Sequence, residues 1–164
     1  HGENRLALLD DMALLSQVEL LRSIGDEKLR LIAFGAERRR FQPGQVLFRE
    51  DAPADAAFVI AEGTVSLSQK TRDGSDRALV DVGPGTLLGE LALISPIKRS
   101  MTATAEDDVE VMRINRPLFH RMLEEYPEIA DIVRERITEN LNQLSDNLKE
   151  IAPRFEGDGD GAPK

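Results

Sequence analysis

Apolar residues recur at three- and four-residue spacing over residues 12–34 (MALLSQVELLRSIGDEKLRLIAF), the period that lays one side of a helix on a core. The run breaks at Ile24-Gly25, and Asp26 is placed to cap a second short helix, so a helical N-terminal pair is predicted. From about Phe41 the period drops to two. Val46 and Phe48 alternate with Leu47 and Arg49, Phe58 and Ile60 with Val59, and Val65 and Leu67 with Ser66 and Ser68. Turn residues punctuate this stretch at Pro43-Gly44, Asp51-Ala52-Pro53, Glu62-Gly63, Asp73-Gly74, Gly83-Pro84-Gly85, Gly89 and Pro96. Short strands separated by turns roughly 8–12 residues apart predict an antiparallel β-roll of jelly-roll type, because a parallel sheet would need helical crossovers between its strands. Residues 100–105 and 109–114 read as the closing strands, and after Asn115-Arg116-Pro117 the helical period returns with Leu118, Met122 and Leu123 on one face.

A last helix is predicted from about Pro127 to Ile151. Within it Ile137, Leu141, Leu144, Leu148 and Ile151 fall at steps of four, three, four and three, a heptad seam suited to pairing two copies of the chain. The tail from Phe155 (FEGDGDGAPK) is Gly-rich and acidic and reads as a flexible terminus. The expected organisation is an N-terminal segment over 1–11, a mainly β roll with flanking helices over 12–126, a dimerisation or lid helix over 127–152, and a tail over 153–164. His1-Gly2 reads as a tag remnant.

Composition narrows the chemistry. The chain of 164 residues has room for one domain, or one domain with a helical appendage, rather than for a multidomain enzyme. It contains no cysteine, which removes disulfides, thiolate metal sites and cysteine nucleophiles and agrees with a cytoplasmic setting. A net charge of −9 opposes non-specific binding to nucleic acid, and the Arg38-Arg39-Arg40 run, without interleaved aromatics, reads as a solvated strand edge. No apolar run reaches the ~18 residues of a membrane span, so no membrane partner is expected. With two histidines, His1 and His120, a metal site is not expected; His120 reads as a half-buried helix residue, and Asp10-Asp11 and Asp107-Asp108 read as helix-start and turn residues. No acid–base pair or activated nucleophile is assembled, so the chain is not read as an enzyme.

The most informative segment is GPGTLLGELALISPIKRSMTATA, Gly83 to Ala105. A glycine-led turn opens a short apolar helix from Glu90 to about Ser95, and Arg99 precedes an alternating strand. Free amides at the helix start, about Leu91 and Ala92, favour an anion such as phosphate, and Arg99 adds a charge-assisted pair. An acceptor at Glu90, too close to a phosphate to bind it, suits a neighbouring sugar hydroxyl.

Gly89-Glu90-Leu91-Ala92-Leu93 followed by Arg99-Ser100-Met101-Thr102-Ala103 is similar to the phosphate-binding cassette of cyclic nucleotide-binding domains, found in the catabolite activator, protein kinase A regulatory subunits and cyclic-nucleotide-gated channels. The resemblance runs from about Leu20 to Tyr126, including Pro43-Gly44, Glu50, Pro53-Ala54-Asp55, Glu62-Gly63 and Gly85. It implies that Glu90 accepts from the ribose 2′-hydroxyl, that Arg99 pairs with the exocyclic phosphate oxygens, and that amides near Leu91, Ala92 and Met101 complete the site with the Ser100 hydroxyl. The base would lie against Val65, Leu67 and Leu88. Two positions depart from the family pattern. Glu50-Asp51-Ala52 replaces Glu-Gly-Asp and loses a turn glycine, and Leu144-Ser145 stands where the catabolite activator has a Thr-Ser pair that reaches adenine, so only Ser145 matches.

The resemblance implies a non-enzymatic sensor of a cyclic mononucleotide, with cyclic AMP favoured over cyclic GMP on the family's bacterial precedent, no cofactor, and a homodimer formed by the last helix. No DNA-reading helix follows that helix, so the output is expected to be a protein partner. A ligand-free structural or dimerisation module on the same fold is the alternative, and a cupin-like enzyme would need metal ligands that two histidines do not supply.

Overall fold

The computed structural model describes residues 2–139, with side chains described from residue 8 onward. Three helical pieces come first: α1 (Gly2–Leu15), α2 (Glu19–Arg22) and α3 (Asp26–Gly35). The strands are β1 (Glu37–Phe41), β2 (Val46–Phe48), β3 (Pro53–Ala54), β4 (Ala56–Glu62), β5 (Val65–Lys70), β6 (Asp76–Val82), β7 (Leu87–Leu88), β8 (Ile97–Lys98), β9 (Thr102–Ala105) and β10 (Val109–Asn115). A 3-10 turn, Glu90–Leu93, lies between β7 and β8, and α4 (Arg116–Glu125) leads through a second 3-10 turn, Pro127–Ile129, into α5, residues 130–139.

The strands form two four-stranded antiparallel sheets, in the orders β1-β10-β4-β7 and β2-β9-β5-β6, with the small ladder β3-β8 beside them. This is the antiparallel roll flanked by helices that the turn spacing predicts. The inner strands β4 and β10 of the first sheet are covered on both faces, while the edge strand β1 is largely exposed. Alternate side chains of β4 and β10 point to opposite sides: Phe58, Ile60, Val109 and Val111 close the roll interior, while Ala57, Val59, Met112 and Ile114 pack with α1 to α5. That double burial explains why residues 56–61 (AAFVIA) are apolar without interruption while still obeying a period of two.

Several local expectations change. The helical segment before the roll has three pieces rather than two. Because α1 runs unbroken from Gly2, a boundary at residue 11 falls inside a helix, and Asp10-Asp11 lies within α1 rather than at its start. Asp11 instead pairs with Arg38, which also holds Glu110, so the first arginine of the run ties α1 to the edge strand β1 and to β10. At α3 the capping position is Gly25, at φ +95° with no side-chain bond, and Asp26 is the first helical residue. His120 is exposed on α4, not half-buried. The start of α4 follows its signal, with Asn115 Oδ1 accepting from the Leu118 amide at 2.8 Å.

The C-terminal helix is docked on its own chain. Ile129, Val133 and Ile137 join the helical core, Ile137 with only 1% of its surface exposed, and Arg136 lies 3.6 Å from Glu19 of α2. Ile137 is therefore used by the intramolecular core and is withdrawn from the pairing seam. Leu141, Leu144, Ser145, Leu148 and Ile151 lie outside the described residues.

The tip of the β5–β6 hairpin is fixed by one carboxylate. Asp73 accepts from the hydroxyl of Thr71, from the Ser75 hydroxyl at 2.7 Å and from the Ser75 amide at 3.0 Å, and these donors lower its pKa from 3.8 to about 2. A depressed folded-state value means that the carboxylate's contribution is present above pH 3.8 and is lost as the pH falls through about 2. The Asp73 carboxyl resonance is expected to titrate with a midpoint near 2, and Thr71→Val should move it towards 3.8. A wild-type midpoint at the ordinary value would remove the lock.

Candidate functional site

The cassette predicted from the sequence folds around a buried cation. Arg99 retains 6% of its surface, and its Nε and Nη1 atoms are buried without a hydrogen-bond partner. Burial pushes its pKa down, Asp55 pulls it up, and the neighbouring Arg113 and Arg116 push it down again. A guanidinium does not lose its proton in a protein, so the group stays charged and short of partners. Its carbon lies 4.3 Å over the ring of Phe48 and 5.6 Å from that of Phe58, and the two rings stand 5.7 Å apart. These contacts offset part of the desolvation, on the order of 0.5–2 kcal/mol, and supply no hydrogen bond.

The backbone of Arg99 is pinned on both sides. Its amide donates to the Ala52 carbonyl at 2.8 Å and its carbonyl accepts from the Asp51 amide at 2.7 Å, which extends the β3-β8 ladder past Pro53 and Lys98. Asp51 reaches this position at φ +71°, the only non-glycine residue with positive φ among those described. It stands where the family pattern places the glycine that this chain has lost, so the left-handed turn survives with aspartate carrying the strain.

Gly89 gives the guanidinium its space. Its φ is +79°, and a Cβ at this position would stand 2.5 Å from Arg99 Nη1 and 3.4 Å from the Ala56 carbonyl oxygen. Glu90, partly exposed, opens the 3-10 turn directly after it. The Ala92 amide donates to the Gly89 carbonyl at 3.0 Å, so of the two amides expected to face an anion, this one is used inside the turn. The Leu91 amide precedes that bond and has no acceptor within the turn itself. Ala92 and Leu93 are fully buried, and Arg116 at the start of α4 donates from Nε to the Ala92 carbonyl at 2.8 Å and from Nη2 to the Ala54 carbonyl.

Among the remaining expected residues, Val65, Leu67 and Leu88 are buried in one cluster, with Met101 packed against it; Phe58 belongs to that cluster and Phe48 flanks it. Ser100 is exposed, and its carbonyl accepts from Gln69 Nε2 at 2.9 Å. Two contributors escaped the sequence reading, Phe48 and Phe58 beneath Arg99, while Asp51, marked there as a lost glycine, stands beside the Arg99 backbone. Alternation places both phenylalanines on strands, yet no spacing rule states which strand end meets Arg99.

Residues 38–126 match the family model of the cyclic nucleotide-binding domain, and the chain belongs to that family. Within it, a cyclic nucleotide-binding-like protein from Brucella abortus is 44% identical, with a TM-score of 0.64 over 70% of this chain and 98% of that one. A CRP-like cAMP-activated global transcriptional regulator from Mycobacterium tuberculosis is 26% identical over 73% of this chain and 55% of its own length. Lysophospholipase NTE1 from Chaetomium globosum is 26% identical over 83% of this chain but only 9% of its own length. The chain thus spans about half of the regulator and a small part of the lipase.

Asp51 offers a test of how the site is held. Asp51→Gly should leave stability within about 0.5 kcal/mol, since relief of strain and greater freedom of the unfolded chain oppose each other. Asp51→Val places a β-branched residue in the left-handed region and should cost about 1–3 kcal/mol in urea denaturation. Equal stability of the two variants would show that the turn does not impose this backbone.

Proposed function

We propose that this chain is a non-catalytic sensor that binds a cyclic mononucleotide in the cassette Gly89–Ala103. The observation that carries the reading is the buried Arg99 guanidinium with Nε and Nη1 unpartnered beside Gly89. A buried charge without hydrogen-bond partners is costly, and a phosphate supplies both the opposite charge and the acceptors. Arg99 takes the exocyclic phosphate oxygens, Glu90 accepts from the ribose 2′-hydroxyl, and Gly89, the Leu91 and Met101 amides and Ser100 frame the phosphate. Val65, Leu67 and Leu88 form the apolar wall for the base. Cyclic AMP is the favoured ligand, supported by the cAMP-activated regulator among the relatives.

The 3-10 turn Glu90–Leu93 carries the output. Its first residues face the ligand, while Ala92 and Leu93 are buried, Leu93 within the helical core, and Arg116 holds the turn to α4. A shift of this turn on binding alters the packing offered to α4 and α5. For the ligand to bias that packing it must bind the two arrangements with different free energies, typically by 1–3 kcal/mol. The readout is a protein partner in the cytoplasm, engaged by a dimer paired through Leu141, Leu144, Leu148 and Ile151.

Titration with cyclic AMP should raise thermal stability, by about 2.7 kcal/mol at a ligand concentration of 100 times Kd. Arg99→Ala should weaken binding by about 2–4 kcal/mol while leaving ligand-free stability within about 1 kcal/mol, because the group removed is an unpaired buried cation. Affinity within twofold of wild type would exclude Arg99 from the phosphate site, and at least tenfold tighter binding of cyclic GMP would reverse the base preference. For the pairing, Leu141→Asp with Leu148→Asp should give a monomer by light scattering. A persistent dimer would place the interface elsewhere.

A further inference from the structure

From the contact between Phe48 and Arg99 we infer that Phe48 is a positioning residue for nucleotide binding, presetting the guanidinium for the phosphate. This rests on the reading that Arg99 receives the phosphate, and adds a residue from outside the cassette. The chain has six phenylalanines, one tyrosine and no tryptophan, yet two of these few rings meet at this one guanidinium. Phe48 is the nearer, 4.3 Å from the guanidinium carbon, and it ends β2 opposite Ala103 of β9, the strand that follows Arg99 in the chain.

The two partners ask for different parts of the cation. An aromatic ring attracts it through its face, whereas phosphate oxygens accept from N–H groups in the guanidinium plane. Occupation of the ring therefore leaves the N–H groups available, in agreement with Nε and Nη1 being buried without a hydrogen-bond partner. A long side chain otherwise loses much rotamer freedom on binding, and one already held in place loses less. Gly89 bounds the cation at Nη1, since any Cβ there would meet that atom. Ring and glycine together confine the charge at two points.

The test is a double-mutant cycle with cyclic AMP, read by titration calorimetry for tight variants and by ligand-observed NMR for weak ones. Phe48→Met keeps most of the volume and removes the ring, and should weaken binding about three- to thirtyfold. Phe48→Tyr should restore affinity to within about threefold of wild type. In an Arg99→Gln background, Phe48→Met should change affinity by less than about twofold, because the ring then has no cation to hold. A purely structural role would give the same loss in both backgrounds and overturn the inference, as would tighter binding by Phe48→Met, which would make the ring a competitor of the ligand. If Phe48→Met does not fold, 3,5-difluorophenylalanine at position 48 keeps the shape and weakens the ring face; unchanged affinity would overturn the inference. If wild type binds no cyclic nucleotide, the phosphate reading and this one fall together. If wild type binds and the cycle is additive, only the role of Phe48 is lost.

Discussion

An arginine buried inside a β-roll with its Nε and Nη1 atoms lacking hydrogen-bond partners is the constraint to which the surrounding structure answers. Desolvating a charge is tolerable only when something nearby offsets it, and here the offset is partial: two aromatic rings and the more distant field of Asp55. Strands β2 and β4 bring the rings, Gly89 opens the space for Nη1, and the Asp51-Ala52 turn fixes the backbone from which the side chain extends. Each of these features costs something by itself, since positive φ, a buried charge and a side-chain-free position are all unfavourable for folding alone. Together they surround the guanidinium that is proposed to receive a phosphate.

The second consequence of the architecture is proximity between that site and the helices. Because β4 and β10 are buried on both faces, the roll interior and the helical core are separated there by the thickness of one sheet. The 3-10 turn Glu90–Leu93 lies at the rim of this layer and belongs to both sides, with Leu93 in the helical core and Glu90 next to the cation's space. Arg116 adds a polar strut, joining the turn to the first residue of α4 and to the end of β3. Movement at the turn has a short route to α4 and α5.

Much of this was legible in the sequence because it depends on local rules. Alternation and turn residues identify the strands, and the Gly89-Glu90 and Arg99 spacing within a strand-rich chain marks the segment that the fold gathers around a buried guanidinium. The helical boundaries were less accessible. Residues 1–11 read as a separate N-terminal segment, whereas in the fold α1 runs through residues 2–15 and Asp11 is held by Arg38 from β1, a contact 27 residues away in sequence. Ile137 illustrates a different difficulty: a heptad position looks the same whether it meets a second chain or its own core, and only the three-dimensional packing against α1 to α4 separates the two. The aromatic shelf was invisible for a related reason, since pairing of β2 with β9 and of β4 with β7 is non-local and decides which rings reach Arg99. Asp51 shows the converse. Its position was marked in the sequence as a lost glycine, and the fold retains the glycine-like backbone with another residue in it.

The central claim is that the unpartnered N–H groups of Arg99 receive the phosphate of a cyclic nucleotide. Nitrogen-15 NMR of the arginine side chains during a cyclic AMP titration observes those atoms directly. The account predicts that the Arg99 Nε–H resonance shifts downfield as it gains a charged acceptor, saturating with the same affinity as the binding isotherm. Binding that saturates while the Arg99 resonance stays at its ligand-free position would contradict it.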